Sequence, residues 1–483
     1  MAEMVKEEEH IPTMQATSVH SPLALVGAVL GPVLALLIWF VPLPVPTGAR
    51  HTLAIVSFMA IYWILEPVDY GLTALVGCYL FWALHIAEFQ VAFGGFATDT
   101  PWFLFGAMLM GEAAANTGLA RRIGLSVMRF IGTSYPRLLL GLIVFVFLLN
   151  FLVPSGLAQL AIAAPIAIGI IAAFGASRHS NIAVGLFIMI SYTSGLFNKM
   201  VLAGGASILT QGMLLKLTGQ RIFWGPYFIA YLPATLVTIF ACWLTILWLY
   251  PPETKELPGG RRYLHDTIRA MGRWTPGEKK TLALLLFAIA LWSTDFLHHI
   301  SPAVVALGVG LMMVLPKIGV LSAHDVRKVN YLIVFFIGGV MSMSEVMNKT
   351  EALGILSHIM MSWMTPLLSH TFFSANVLYW AGFAYHFFLA SELSMLGTTL
   401  PGVIQYASTH GYNPVAFAMV WNFASAGKIF AYQSAVLILG YAYGYFRPID
   451  LLRVGSILTV VESLLLFVIV PFYWPLIGLP WRL

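Results

Sequence analysis

Phe223-Trp-Gly-Pro-Tyr-Phe-Ile-Ala-Tyr-Leu-Pro-Ala-Thr-Leu-Val-Thr-Ile-Phe-Ala-Cys-Trp-Leu-Thr-Ile-Leu-Trp-Leu-Tyr250 contains no charged side chain. As a helix it rises about 40 Å, more than the roughly 30 Å of hydrocarbon in a bilayer. Leu23–Val41 has the same character. The whole chain follows suit: 59% of its residues are hydrophobic and 9% charged. A soluble domain carries charges on about a quarter of its residues, so that class is excluded. The 483 residues leave room for about eleven crossings joined by short loops. The fold class is therefore an all-α polytopic membrane protein.

Polar breaks divide the rest into apolar stretches near 51–66, 70–88, 99–118, 136–174, 181–216, 281–297, 301–316, 329–347, 372–408, 412–446 and 453–474. The one sizeable polar connector, 251–280, holds Lys255, Arg261, Arg262, Arg269, Arg273, Lys279 and Lys280. A second basic cluster is Arg121, Arg122, Arg129 and Arg137. The formal net charge of +5 is gathered in these loops, which points to positive-inside orientation rather than to nucleic acid. With both clusters cytoplasmic, the crossings close with the N-terminus inside and the C-terminus outside. Residues 1–22 read as a disordered cytoplasmic tail: Lys6 is followed by Glu7, Glu8 and Glu9, and no cleavage site is present. Cys78 and Cys242 lie in apolar runs and read as buried free thiols.

The two halves resemble each other. Phe103-Leu-Phe-Gly-Ala-Met-Leu-Met-Gly-Glu112 recurs as Phe336-Ile-Gly-Gly-Val-Met-Ser-Met-Ser-Glu345, offset by 233 residues. Ser155 to Ser394 and Lys199 to Lys428 give offsets of 239 and 229. Offsets near half the chain length predict an internal duplication. By the crossing count the two copies run in opposite directions, the inverted-repeat architecture of many secondary transporters. The predicted division is a first repeat over 23–250, the connector 251–280, and a second repeat over 281–483.

Such proteins bind ions where helices break near the membrane midplane. Four breaks are visible, two in each half: Val153-Pro-Ser-Gly-Leu-Ala-Gln159, Phe197-Asn-Lys-Met-Val-Leu-Ala-Gly-Gly-Ala-Ser207, Ala390-Ser-Glu-Leu-Ser-Met-Leu-Gly-Thr-Thr399 and Ala426-Gly-Lys-Ile-Phe-Ala-Tyr-Gln-Ser434. Glycine permits the backbone angles of such turns, and hydroxyls and free amides bind carboxylate oxygens. The competing reading is that these small residues only let helices pack closely.

Ile64-Leu-Glu-Pro67, Gly106-Ala107, Thr117-Gly-Leu-Ala-Arg-Arg-Ile-Gly124 and Tyr250-Pro-Pro-Glu253 resemble the divalent anion/sodium symporter family, most closely its bacterial citrate and di- or tricarboxylate exchangers. Gly444-Tyr445-Phe446 and Asp450-Leu-Leu-Arg-Val-Gly455 extend the likeness to the closing helix pair. The resemblance implies re-entrant hairpins at 136–174 and 372–408, broken helices at 181–216 and 412–446, a homodimer, and elevator-type movement. It places substrate contacts at Ser155, Gly156, Leu157, Asn198, Lys199, Gly204, Ser207, Ser394, Met395, Thr398, Thr399, Lys428, Gln433 and Ser434. Members carry Ser-Asn-Thr at each hairpin tip. Here the tips read Ser155-Gly156-Leu157 and, in the best alignment, Ser394-Met395-Leu396, with Glu392 just ahead.

Lys199 and Lys428 lie in apolar segments at equivalent breaks, where sodium-coupled relatives hold sodium. An intramembrane lysine costs about 2.5–3.5 kcal/mol, which marks it as functional. Each ammonium is expected to replace a bound cation, with Glu392 as a coupling or pairing group. The empty carrier would then hold two unpaired charges, and anion exchange without sodium follows. Sodium-coupled or proton-coupled symport is the alternative, and the competing reading of each lysine is snorkelling to an interface or a structural pair with Glu112, Glu345 or Glu392. The cargo class is a small organic anion, citrate or succinate first, ahead of sulfonates, tartrate-like acids and inorganic oxyanions. The bilayer is the other partner, in the plasma (inner) membrane.

No cofactor, metal or nucleic acid is implied. The thirteen histidines show no metal-site spacing, and no Walker loop supports ATP-driven pumping. A membrane enzyme or receptor is the remote alternative, since no nucleophile–base pair is visible. His386 reads as a core histidine, Glu462 has no assigned role, and Trp102, Trp224, Tyr250, Trp474 and Trp481 read as interfacial belts.

Overall fold

With no water in hydrocarbon to satisfy free backbone groups, the apolar runs can only become helices, and they do. The computed structural model describes residues 22–482 apart from 43, 154, 203, 369–372 and 390. The expected tail at 1–22 lies outside the described residues, except for Pro22. So do Pro154, Ala203 and Ala390 of the breaks. Among the described residues no β-strand forms, only two isolated bridges.

The helices of eight residues or more are, in the first half, α1 (Pro22–Phe40), α2 (Thr47–Leu65), α3 (Tyr70–Ala83), α4 (Asp99–Asn116), α5 (Leu119–Ile131), α6 (Tyr135–Leu152), α7 (Gly156–Phe174), α8 (Asn181–Met200), α9 (Gly205–Thr218) and α10 (Trp224–Leu249). After α11 (Gly260–Ala270) come α12 (Pro276–Ser293), α13 (Pro302–Met312), α14 (Tyr331–Lys349), α15 (Ala352–Met361), α16 (Ser374–Phe388), α17 (Glu392–Thr409), α18 (Pro414–Ala424), α19 (Ala435–Ala442) and α20 (Pro448–Val468). Among the described residues, seven apolar helical segments are long enough to cross a bilayer, and five shorter apolar helices accompany them.

The two halves pack alike. Helix α3 lies along α14 as α13 lies along α4. Both crossings need glycine: a Cβ on Gly106 would sit 2.4 Å from the carbonyl oxygen of Ala306, and one on Gly71 would sit 2.2 Å from that of Leu332. Backbones approach this closely only where no side chain intervenes. The broken helices cross over: α9 packs on α17 of the second half, and α19 packs on α7 of the first. Helices α10 and α20 close the two halves against each other.

The two basic clusters meet. Helix α11 packs on α5, and Arg122 on α5 is buried, donating from Nε to Glu278 Oε1 at 2.6 Å and from Nη1 to the Gly272 carbonyl at 3.0 Å. Tyr135 N donates to the Lys255 carbonyl at 2.9 Å. The segments flanking α5 and α11 are therefore tied at one end of the bundle.

The aromatic belt expectation needs correction. Trp102 is half exposed, but Trp224, Tyr250, Trp474 and Trp481 are buried. Their polar atoms explain part of this: Trp474 Nε1 donates to the Ala230 carbonyl at 3.2 Å, and Tyr250 OH to Asp450 Oδ1 at 2.9 Å. An aromatic residue at a span end can seat its polar edge on a neighbouring helix instead of at the headgroups. Cys78 and Cys242 are buried and free.

Candidate functional site

Helix α8 is buried along nearly its whole length, and its last turn carries Lys199. The side chain crosses into the second half, where α18 ends at Ala424. Its Nζ donates to the Asn422 carbonyl at 2.8 Å and to Ser425 Oγ, and stands 2.7 Å from Glu392 Oε1. Ser425 Oγ in turn donates to the Asn422 carbonyl at 2.7 Å. All three ammonium hydrogens thus have acceptors, as a buried cation requires.

Lys428 lies in the irregular stretch between α18 and α19. Its Nζ donates to Glu392 Oε2 at 2.7 Å. Among the described residues that is its one side-chain partner. Its backbone is pinned instead: Tyr192 OH donates to the Lys428 carbonyl at 2.8 Å. The side chain borders a recess also lined by Ser191, Gly195, Ala426 and Ser434. In this conformation the recess has room for about one water molecule.

Glu392 is the first residue of α17, and each of its oxygens takes a different lysine. Both lysines are nearly inaccessible, at 3% and 6% of the side chain, whereas Glu392 keeps 18%. This corrects one expectation: the site does not hold two unpaired positive charges. Two ammoniums and one carboxylate leave a formal charge of +1. Of the three proposed carboxylate partners, Glu392 takes both lysines, while Glu345 pairs with Lys216 at 2.9 Å.

At the two breaks expected to form hairpin tips, the helix caps are Ser155 and Ser391. Ser155 caps α7, its Oγ accepting from Ala158 N at 3.4 Å. The residue doing the same for α17 is Ser391, accepting from Ser394 N at 3.2 Å. Ser394-Met395-Leu396 lies inside the helix and is buried. Thr398 and Thr399 return their hydroxyls to the carbonyls of Ser394 and Met395, at 2.8 and 2.6 Å, and Thr399 also accepts from Trp421 Nε1 at 2.8 Å. Met395 and Thr399 are both buried. Ser391 could have been found from sequence, since a serine directly ahead of an acidic first turn is an N-cap signature.

The remaining candidates make local contacts in the breaks. A Cβ on Gly156 would lie 3.0 Å from the Ser194 carbonyl oxygen, so the first tip rests against α8 one residue before Gly195, which faces Lys428. Leu157, next to Gly156, is partly buried. Ser207 Oγ donates to the Lys199 carbonyl at 3.0 Å, and Gly204 abuts Asn198. Asn198 Nδ2 is buried with no partner among the described residues. Gln433 accepts from the amides of Ile429 and Phe430 at 2.8 and 2.9 Å, closing the loop that carries Lys428. Ser434 stands at the N-cap position of α19 without a side-chain capping bond among the described residues, and lines the recess. His386 is fully buried, with Nε2 donating to the Gln433 carbonyl at 2.9 Å. Glu462 is buried and accepts from Tyr379 OH at 2.7 Å. Asn422 and Ser425 were not singled out by sequence.

The family model for the sodium:sulfate symporter transmembrane region matches residues 24–480. A membrane protein of Cupriavidus necator is 27% identical over 476 residues, spanning 92% of this chain and 91% of its own. Dicarboxylate transporter 1, chloroplastic, of Spinacia oleracea is 25% identical, with 94% and 82% covered. The sodium-dependent dicarboxylate transporter SdcS of Staphylococcus saprophyticus is 26% identical over 282 residues, 56% of this chain and 54% of that one. The structure of Neisseria gonorrhoeae MtrF, described among antimetabolite efflux pumps, superposes with a TM-score of 0.55 over 90% and 97% of the two chains at 12% identity, a likeness of fold.

Proposed function

This chain belongs to the sodium:sulfate symporter family, a family of transporters and not of enzymes, and from that premise we propose that it carries dicarboxylate-class anions across the cytoplasmic membrane without sodium. The observation that carries the reading is the meeting of Lys199 and Lys428, one from each half, on a single carboxylate. Two fixed ammoniums stand ready for an anionic cargo and take the place of bound cations. A lysine is a compact, strongly hydrated point charge and suits that substitution.

Anion-for-anion exchange is the proposed main cycle. With a dianion in place of Glu392 the two ammoniums are neutralised, whereas without cargo they share one tethered carboxylate and keep a formal +1, which opposes turning empty. The proposed division is into repeats over 23–250 and 281–483, each with a hairpin and a broken helix, joined by the connector 251–280. The crossover packing of α9 on α17 and of α19 on α7 supports a unit that moves together, as elevator transport in a homodimer requires. The contact between the two basic clusters supports placing both on the cytoplasmic side, with the N-terminus inside and the C-terminus outside.

The test is uptake of labelled succinate into proteoliposomes of the purified chain, in sodium and in sodium-free buffer, with and without succinate inside. Equal rates in the two buffers, accelerated by internal succinate, are expected. Uptake that needs a sodium gradient would contradict the reading, and absence of any flux would remove succinate as cargo.

A further inference from the structure

The Glu392 carboxylate sits where a cargo carboxylate has to sit. It is held by the same two ammoniums, one per oxygen, at 2.7 Å each. It also projects from the hairpin tip, the first residue after the Ser391 cap, and is the most exposed member of the cluster. We infer that Glu392 is a tethered competitor: between cargoes it fills the site, and an arriving anion must displace it from Lys199 and Lys428. The inference rests on the lysine pair being the cargo site.

Tethering gives the Glu392 carboxylate a high effective concentration, so a free monocarboxylate, which offers the same single group, is outcompeted. A dicarboxylate offers one group to each ammonium and can win. Lys428 is where exchange begins. Lys199 has all three hydrogens engaged, whereas Lys428 has two hydrogens with no acceptor among the described residues and borders the recess. Glu392 thereby selects for dianions and lowers apparent affinity for all cargo. It also keeps the resting charge at +1 rather than +2, so that some net uptake into anion-free vesicles is possible.

Glu392→Gln keeps the shape and removes the competing charge. If the tethered group fills the site nine-tenths of the time or more, its loss lowers the KM for succinate exchange by ~10-fold or more. Propionate, inert toward the wild type, should become an inhibitor, and uptake into anion-free vesicles should fall relative to exchange. Glu392→Asp, which draws the carboxylate back by one methylene, should shift KM in the same direction by less. It carries the test if the glutamine variant does not fold.

An unchanged or higher KM in both variants, with propionate still inert, would overturn the inference and leave Glu392 a structural partner of the lysines. Normal transport by Lys199→Ala and Lys428→Ala would overturn the reading beneath it, as would a wild type that moves no succinate. The two failures are thus distinguishable.

Discussion

In the first break Gly204 N donates to the Val201 carbonyl at 3.0 Å, and Lys199 stays inside the last turn of α8. In the second, residues 425–434 run irregularly through one 3-10 turn at Ala431–Gln433, and Lys428 sits in the open stretch. The lysines occupy equivalent places in sequence, yet one is saturated by Asn422, Ser425 and Glu392 while the other has, among the described residues, one side-chain partner and a recess beside it. Each half thus supplies one buried lysine, and the two sit in different surroundings. Lys199 also ties the two halves to each other, and Lys428 is where the proposed displacement of Glu392 begins.

That division can be broken by substitution. Lys199→Ala strands Glu392 and the end of α18, and breaking a buried pair costs about 3–5 kcal/mol, so thermal unfolding in detergent should drop by several degrees alongside loss of transport. Lys428→Ala should abolish exchange as thoroughly while lowering stability by about 1–2 kcal/mol, since Lys199 still holds Glu392. Equal destabilisation by the two would erase the distinction. Ser425→Ala removes one acceptor from Lys199 alone and should cost about 1–2 kcal/mol with a small change in KM. Gly195→Ala is the mildest: its Cβ would lie 3.8 Å from Lys428 Nζ, an ordinary contact, so melting should hold while succinate KM rises a few-fold.

The helical membrane fold was legible because its cause is local: uncharged runs such as Phe223–Tyr250 have no other stable form in hydrocarbon. The four breaks were legible for the same reason, as Gly, Ser and Pro interrupt otherwise apolar runs. Glu392 was visible as a partner of the lysines, but its bridging of both was not. That arrangement depends on Lys199 reaching out of α8 to the end of α18, a contact across 223 positions of sequence. Asn422 and Ser425 are invisible for the same reason, since a backbone carbonyl and a single hydroxyl become ligands only by long-range packing. In the break expected as the second hairpin tip the helix cap is Ser391, three residues ahead of the serine matched to the signature, because a three-residue match outweighed the capping rule that Ser391-Glu392 satisfies. The buried tryptophans show a third limit: a ring at a span end looks the same in sequence whether it faces lipid or a neighbouring helix.

The most direct measurement is labelled succinate exchange in proteoliposomes for the wild type, Lys199→Ala and Lys428→Ala, each with and without sodium. The account predicts exchange by the wild type that ignores sodium and disappears in both variants. Exchange that demands sodium and survives the loss of either lysine would contradict it.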